Sequence, residues 1–200
     1  VYTVEEVGTV TGYTTTVTGD AETGFTITNT HNPEKISING TKTWNDSNDQ
    51  DGKRPDKITV RLFADGTEAA SQVVTADKDG NWKYSFDNLD KYANGTEITY
   101  TVTEDTVTDY TTVVSGYDIR NSYTPGKTSV SVTKAWDDND NQDGLRAKEI
   151  KVQLKADGVA SGEPVALNKA NNWTYTWKDL AQKANKKKIV YTVEEVGTVT

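Results

Sequence analysis

A lysine, a glutamate and an asparagine fall in step with apolar residues along three different segments of this chain. In an extended strand every second side chain points to the same side. Ile36 to Trp44 then lines up Ile36, Ile38, Gly40, Lys42 and Trp44. Ile98, Tyr100, Val102 and Glu104 form a second such row, and Tyr117, Ile119 and Asn121 a third. The pattern returns elsewhere. Lys134 follows Val130 and Val132, Glu195 follows Ile189, Tyr191 and Val193, Glu6 follows Tyr2 and Val4, and Asn29 follows Phe25 and Ile27.

Burying an isolated ammonium and carboxylate costs several kcal/mol, and an unreacted buried pair adds little net stability. Chemistry offers the triple a better use. A desolvated lysine loses its proton and becomes a nucleophilic amine that attacks the asparagine carboxamide carbon. A glutamate kept protonated by apolar surroundings polarises that carbonyl and carries protons to the departing ammonia. The product is a side-chain amide, and proximity set by the fold supplies roughly 7–11 kcal/mol of the barrier. In the bland alternative the lysine sits at a strand end, snorkels its head to water and pairs with the glutamate. Strand parity alone leaves both open; the same register in both repeats favours the cross-link.

Internal repetition fixes the elements that hold these residues. Lys42-Thr43-Trp44 returns as Lys134-Ala135-Trp136, and Asn48-Asp49-Gln50-Asp51-Gly52-Lys53-Arg54 as Asp140-Asn141-Gln142-Asp143-Gly144-Leu145-Arg146. Trp82-Lys83-Tyr84 returns as Trp173-Thr174-Tyr175, and Tyr100-Thr101-Val102-Thr103-Glu104 as Tyr191-Thr192-Val193-Glu194-Glu195, always 91 to 92 residues on. A longer period is superimposed, because VYTVEEVGTVT stands at both Val1–Thr11 and Val190–Thr200. The chain therefore reads as an excised middle of an alternating array. Residues 1–33 are the last strands of one domain, 34–124 a whole domain, and 126–200 a following domain short of its last strands. Asn32-Pro33 and Thr124-Pro125-Gly126 are the linkers.

The whole domain reads as all β. Segments 36–44, 58–63, 72–75, 81–86, 97–104, 110–114 and 117–121 alternate apolar and polar. Asp65-Gly66, Asp79-Gly80 and Asn94-Gly95 supply turns. Seven short strands in about ninety residues make a sandwich, and 87–92 reads as a short helical turn.

Composition narrows the function. The 200 residues carry a net charge of -8, no Cys, no Met and one His, His31. A disulfide framework, a thiolate metal site and a thiol nucleophile are excluded, and one histidine equips neutral acid–base catalysis poorly. The acidic balance offers no phosphate-neutralising surface for nucleic acid. No apolar run reaches the roughly 18 residues of a membrane helix. Ser47–Gly52 and Asn139–Gly144 echo a calcium loop, but the bidentate glutamate position falls on Ile58 or Ile150. A solvated turn is the expectation there, with no metal and no cofactor. Lys186-Lys187-Lys188 reads as a solvated strand edge.

Taken together, Lys-x-Trp, Asn-Gln-Asp-Gly-x-Arg, Trp-x-Tyr, Tyr-Thr-Val-x-Glu and Ile-x-Asn closely resemble the B-type repeats of Gram-positive collagen adhesins, the CnaB family, over nearly the whole chain. The resemblance implies tandem inverse immunoglobulin-like β-sandwich domains, an autocatalytic Lys–Asn isopeptide bond and a stalk outside the cell wall. It implies that Lys42 and Asn121 are bonded with Glu104 as catalytic acid. Lys134 with Glu195, and Asn29 with Glu6, match the same roles in the incomplete domains. The expected partners are neighbouring repeats, with host matrix engaged by a domain outside this chain. In the competing reading the repeats themselves grip host matrix or a neighbouring surface protein. The incomplete ends also predict head-to-tail complementation between chains, Lys134 of one bonding Asn29 of another, with the duplicated strand competing for one slot.

Overall fold

The structure, a computed structural model, describes residues 1–197. Its strands in chain order begin with β1 (Thr14–Asp20), β2 (Gly24–Thr30), β3 (Lys35–Asn45), β4 (Lys57–Ala64), β5 (Thr67–Thr75), β6 (Trp82–Asp90), β7 (Tyr92–Ala93), β8 (Thr96–Glu97), β9 (Tyr100–Glu104), β10 (Thr111–Ser115) and β11 (Asp118–Ser122). There follow β12 (Lys127–Thr133), β13 (Glu149–Ala156), β14 (Val159–Ala160), β15 (Val165–Asn168), β16 (Thr174–Ala181), β17 (Lys183–Ala184), β18 (Lys187–Lys188) and β19 (Tyr191–Val196). Two sheets build the whole sandwich, one in the order β10-β11-β3-β6 and the other β5-β4-β9. The later strands form the sheets β12-β16 and β14-β13-β15, with β19 also on β13.

The chain divides into two compact units. One holds Val1–Lys42, Lys57–Asp105 and Val114–Ile119; the other holds Thr43–Asp56, Thr106–Val113 and Arg120–Thr200. In the first, the period-two reading is realised as burial. Ile58, Val60 and Leu62 of β4, Trp82, Tyr84 and Phe86 of β6, and Tyr100 and Val102 of β9 are all buried. Each fully buried side chain of this size contributes about 1.5–3 kcal/mol. In the second unit Ile150, Val152 and Leu167 form a smaller core, against which Val132, Trp136, Trp173 and Trp177 are partly buried.

Three expectations are corrected. Residues 87–92 are not a helical turn: β6 runs on to Asp90, paired with Lys35 at the start of β3, and Tyr92 opens a hairpin with β8. The Tyr100 strand starts later than expected because Thr96 and Glu97 pair locally with Ala93 and Tyr92. The duplicated segment takes two forms. Tyr191–Val196 is a strand because β13 offers it a ladder, Lys151↔Val196 to Ala156↔Tyr191. Val1–Tyr13 has the same opening sequence but no strand, and Tyr2 and Val7 are exposed. Backbone groups without a partner strand stay with water. Thr198–Thr200 of the duplicate lie outside the described residues.

Candidate functional site

β3 buries alternate residues through Ile38, Gly40 and Lys42. Lys42 sits opposite Trp82 of β6. Glu104 ends β9 opposite Val60 of β4. Those two ladders bring Lys42 Nζ to 2.8 Å from Glu104 Oε1, with both side chains at 0% exposure. Desolvation is the main influence on Lys42. It pulls the amine below its ordinary value, against the opposing hydrogen bond and charge of Glu104. A lysine so placed is disposed towards the free amine.

Asn121 lies on β11, the strand next to β3 in sheet order. It is fully buried, as is Ile119 two residues before it. Neither its carboxamide oxygen nor its nitrogen has a hydrogen-bond partner. An orphaned buried polar group costs about 1–3 kcal/mol, so this carboxamide calls for an explanation.

Residues 1–33 and 126–197 assemble parts of the same constellation, partly or fully exposed. Lys134 Nζ lies 3.1 Å from Glu195 Oε2, but with 27% and 34% of the side chains exposed. It also sits 4.6 Å from the Trp136 ring centre. Asn29 Nδ2 donates to Glu6 Oε1 at 3.3 Å, and Thr15 Oγ1 donates to Asn29 Oδ1 at 2.6 Å, all exposed. Of the seven residues singled out by sequence, Lys42, Glu104 and Asn121 are the ones whose side chains are buried.

Close packing supports the whole domain's site. A Cβ at Gly40 would fall 2.2 Å from Tyr117 O and 2.5 Å from the Tyr84 hydroxyl. That hydroxyl donates to Tyr117 O, and burial pushes the Tyr84 phenol up to about 12. Glycine is thus required where β3 passes this bridge. The second repeat has Val132 at the matching position.

The loop after β3 was expected to be a solvated turn, and this is a further correction. Asp46, Asp49 and Asp51 are buried. Their carboxylates fold back on the backbone and on Arg54: Asp46 accepts Arg54 Nε at 3.0 Å, Arg54 Nη2 at 2.7 Å, the Asp49 N–H at 2.9 Å and the Tyr110 hydroxyl at 2.9 Å. The signal was in the sequence, since Asp138 and Arg146 repeat the pair at 2.6 Å. Burial alone would raise the Asp46 carboxyl, but Arg54, the Asp49 N–H and Tyr110 together hold it below the usual value. A lowered native pKa gives stability present above the unfolded value and lost as pH falls through the native one. Asp46→Asn is therefore expected to lower the urea midpoint at neutral pH and to change it little below roughly pH 3. Among the described residues no cluster of three metal-ligating side chains occurs, and no helix is long and apolar enough to cross a membrane.

Sandwich topology, internal repetition and these motifs define a class. The chain belongs to the family of Cna protein B-type domains, whose model matches residues 38–122 and 130–199. It is 52% identical over 198 residues to a collagen adhesin of Staphylococcus aureus, covering 99% of this chain and 17% of that protein. The crystal structure of two B repeat units of the S. aureus collagen binding protein is 50% identical, with a TM-score of 0.56. That alignment covers 98% of this chain and 52% of the other. A single B repeat unit of the same protein is 52% identical with a TM-score of 0.43, covering 83% and 88%. The chain is a region of tandem Cna B-type domains and spans less than a fifth of the curated relative it matches.

Proposed function

We propose that the chain is a stalk segment of a cell-surface adhesin, each complete sandwich closed by a self-made amide between lysine and asparagine. The observation that carries this is the dry Lys42–Glu104 pair beside a strand whose asparagine is buried without a hydrogen-bond partner. One proton passes from the Lys42 ammonium to the Glu104 carboxylate, leaving a neutral amine and a carboxylic acid. Lys42 Nζ attacks Cγ of Asn121 while Glu104 polarises the carboxamide oxygen. Glu104 then gives its proton to the departing amide nitrogen and takes one from the new C–N nitrogen. The old C–N bond breaks and ammonia leaves. Glu104 ends as a carboxylic acid beside the new amide. The reaction runs once per domain, so this chemistry is maturation, not turnover.

Lys134 and Glu195, and Asn29 and Glu6, supply the same groups for the domains that 126–200 and 1–33 begin and end. Their exposure supports a reaction only once a neighbouring strand excludes water. Head-to-tail joining of chains through Lys134 and Asn29 is the intermolecular form of that closure. It would appear as a denaturant-resistant ladder at high concentration.

A spacer role follows from where the bond would sit, at the first and last strands of the domain. The test is two-part. Tryptic digestion should release one branched species containing Lys42 and Asn121, and immobilised chain should retain no host matrix protein. Separate peptides would remove the bond, and saturable retention would favour a matrix-gripping module.

A further inference from the structure

The turn at Asn185-Lys186 carries a side chain where its geometry favours none. Lys186 has φ +69°, and the matching residue of the earlier hairpin is Gly95, φ +79°. A left-handed lysine is strained, and such an outlier points to a contact that holds it. Lys186 Nζ lies 2.7 Å from Asp49 Oδ2, and its N–H donates to Gln50 O at 3.0 Å. Three more bonds converge on Asp51. Its Oδ2 accepts from the Tyr123 hydroxyl and the Gly126 N–H, each at 2.8 Å, and Lys183 Nζ donates to its backbone oxygen at 3.1 Å.

The chain supplies its own comparison. Asp138–Gly144 repeats the loop Asp46–Gly52 with the same internal bonds, Arg146 N donating to Asn141 Oδ1 as Arg54 N does to Asp49 Oδ1. Yet Asp49 and Asp51 are 7% and 6% exposed, whereas the matching Asp143 is exposed. Gly52 and Gly144 have φ +68° and +70°. A Cβ on Gly52 would stand 2.9 Å from Lys186 Cβ, and on Gly144 it would meet nothing within 4 Å.

We propose that the loop after the first strand of each repeat is a socket for the repeat that follows, and that its charge selects which hairpin enters. Asp49 takes the cationic Lys186 hairpin. Asn141, in the Asp49 position, is matched to an uncharged hairpin of the Asn94-Gly95 kind, which the alternating order would bring to it. The Asp138–Gly144 surface is thus the docking face for a further repeat of the 34–124 type. The Asp49 socket is closed by the Lys186 ion pair. This holds whether or not Lys42 and Asn121 are joined.

The chain has no cysteine, so spin labels at Asp56→Cys, just after the socket loop, and Val159→Cys, both exposed, report one distance by pulsed dipolar spectroscopy. The expected result is a narrow distribution that Lys186→Glu broadens at least twofold, while Lys187→Glu, the same charge change one residue on, leaves it narrow. Gly52→Ala should broaden it and Gly144→Ala should not, although both put alanine at the same φ. A broad distribution in the parent chain, equal widths for the two lysine variants, or equal effects of the two glycine variants would each overturn the socket.

Discussion

Pulled from its two ends, the complete sandwich is expected to give no unfolding step from the segment between Lys42 and Asn121. An amide joining β3 to β11 passes load from one strand to the other through covalent bonds, so the roughly 80 residues between them are never stretched. In Lys42→Ala the load falls on ladder hydrogen bonds, which release that whole segment. The step would be roughly 260–280 Å, at about 3.3–3.6 Å for each freed residue. Single-molecule force spectroscopy on a tandem array reads this directly. The same long step in both proteins would mean that the strands are not joined.

The second large effect is on heat stability. By analogy with a disulfide, closing a loop of roughly 80 residues restricts the unfolded chain by about 4 kcal/mol. For a domain of this size each kcal/mol moves Tm by about 4–8 °C, so Asn121→Ala is expected to lower the transition of the complete sandwich by roughly 15–30 °C. The sign is informative. Without a bond, the substitution removes a buried carboxamide that has no hydrogen-bond partner, and relief of that cost of about 1–3 kcal/mol would offset much of the lost packing. A small or upward shift in calorimetry would therefore count against the cross-link.

The burial of Lys42, Glu104 and Asn121 was legible in the residue order because strand parity is a strong local rule. Lys42 lies inside an eleven-residue strand, so one end of β3 can slip by a residue without moving the lysine to the other face. The turn pairs Asp65-Gly66 and Asn94-Gly95 fall in left-handed conformations, as their types suggest. What parity could not show was which strands exist. VYTVEEV is a strand after residue 190, where β13 offers it a ladder, and none at residue 1. The loop 46–54 departs from the solvated-turn expectation for a different reason. Its aspartates have no periodicity, and their burial follows from Arg54 within the loop and from Tyr110 and Lys186 reaching them from distant parts of the chain. Acidic residues in such a loop look solvated until those partners are in place.

The claim on which the rest depends is that Lys42 and Asn121 are one amide, made with Glu104. The most direct measurement is the intact mass of the denatured chain, compared with Lys42→Ala and Glu104→Ala. The expected result is a wild-type mass short by one ammonia, with each variant showing the full mass of its own sequence. A full mass in the wild type would contradict the account, leaving Lys42 and Glu104 as an unreacted buried pair. A deficit that persists in Glu104→Ala would keep the bond and contradict the role given to the glutamate.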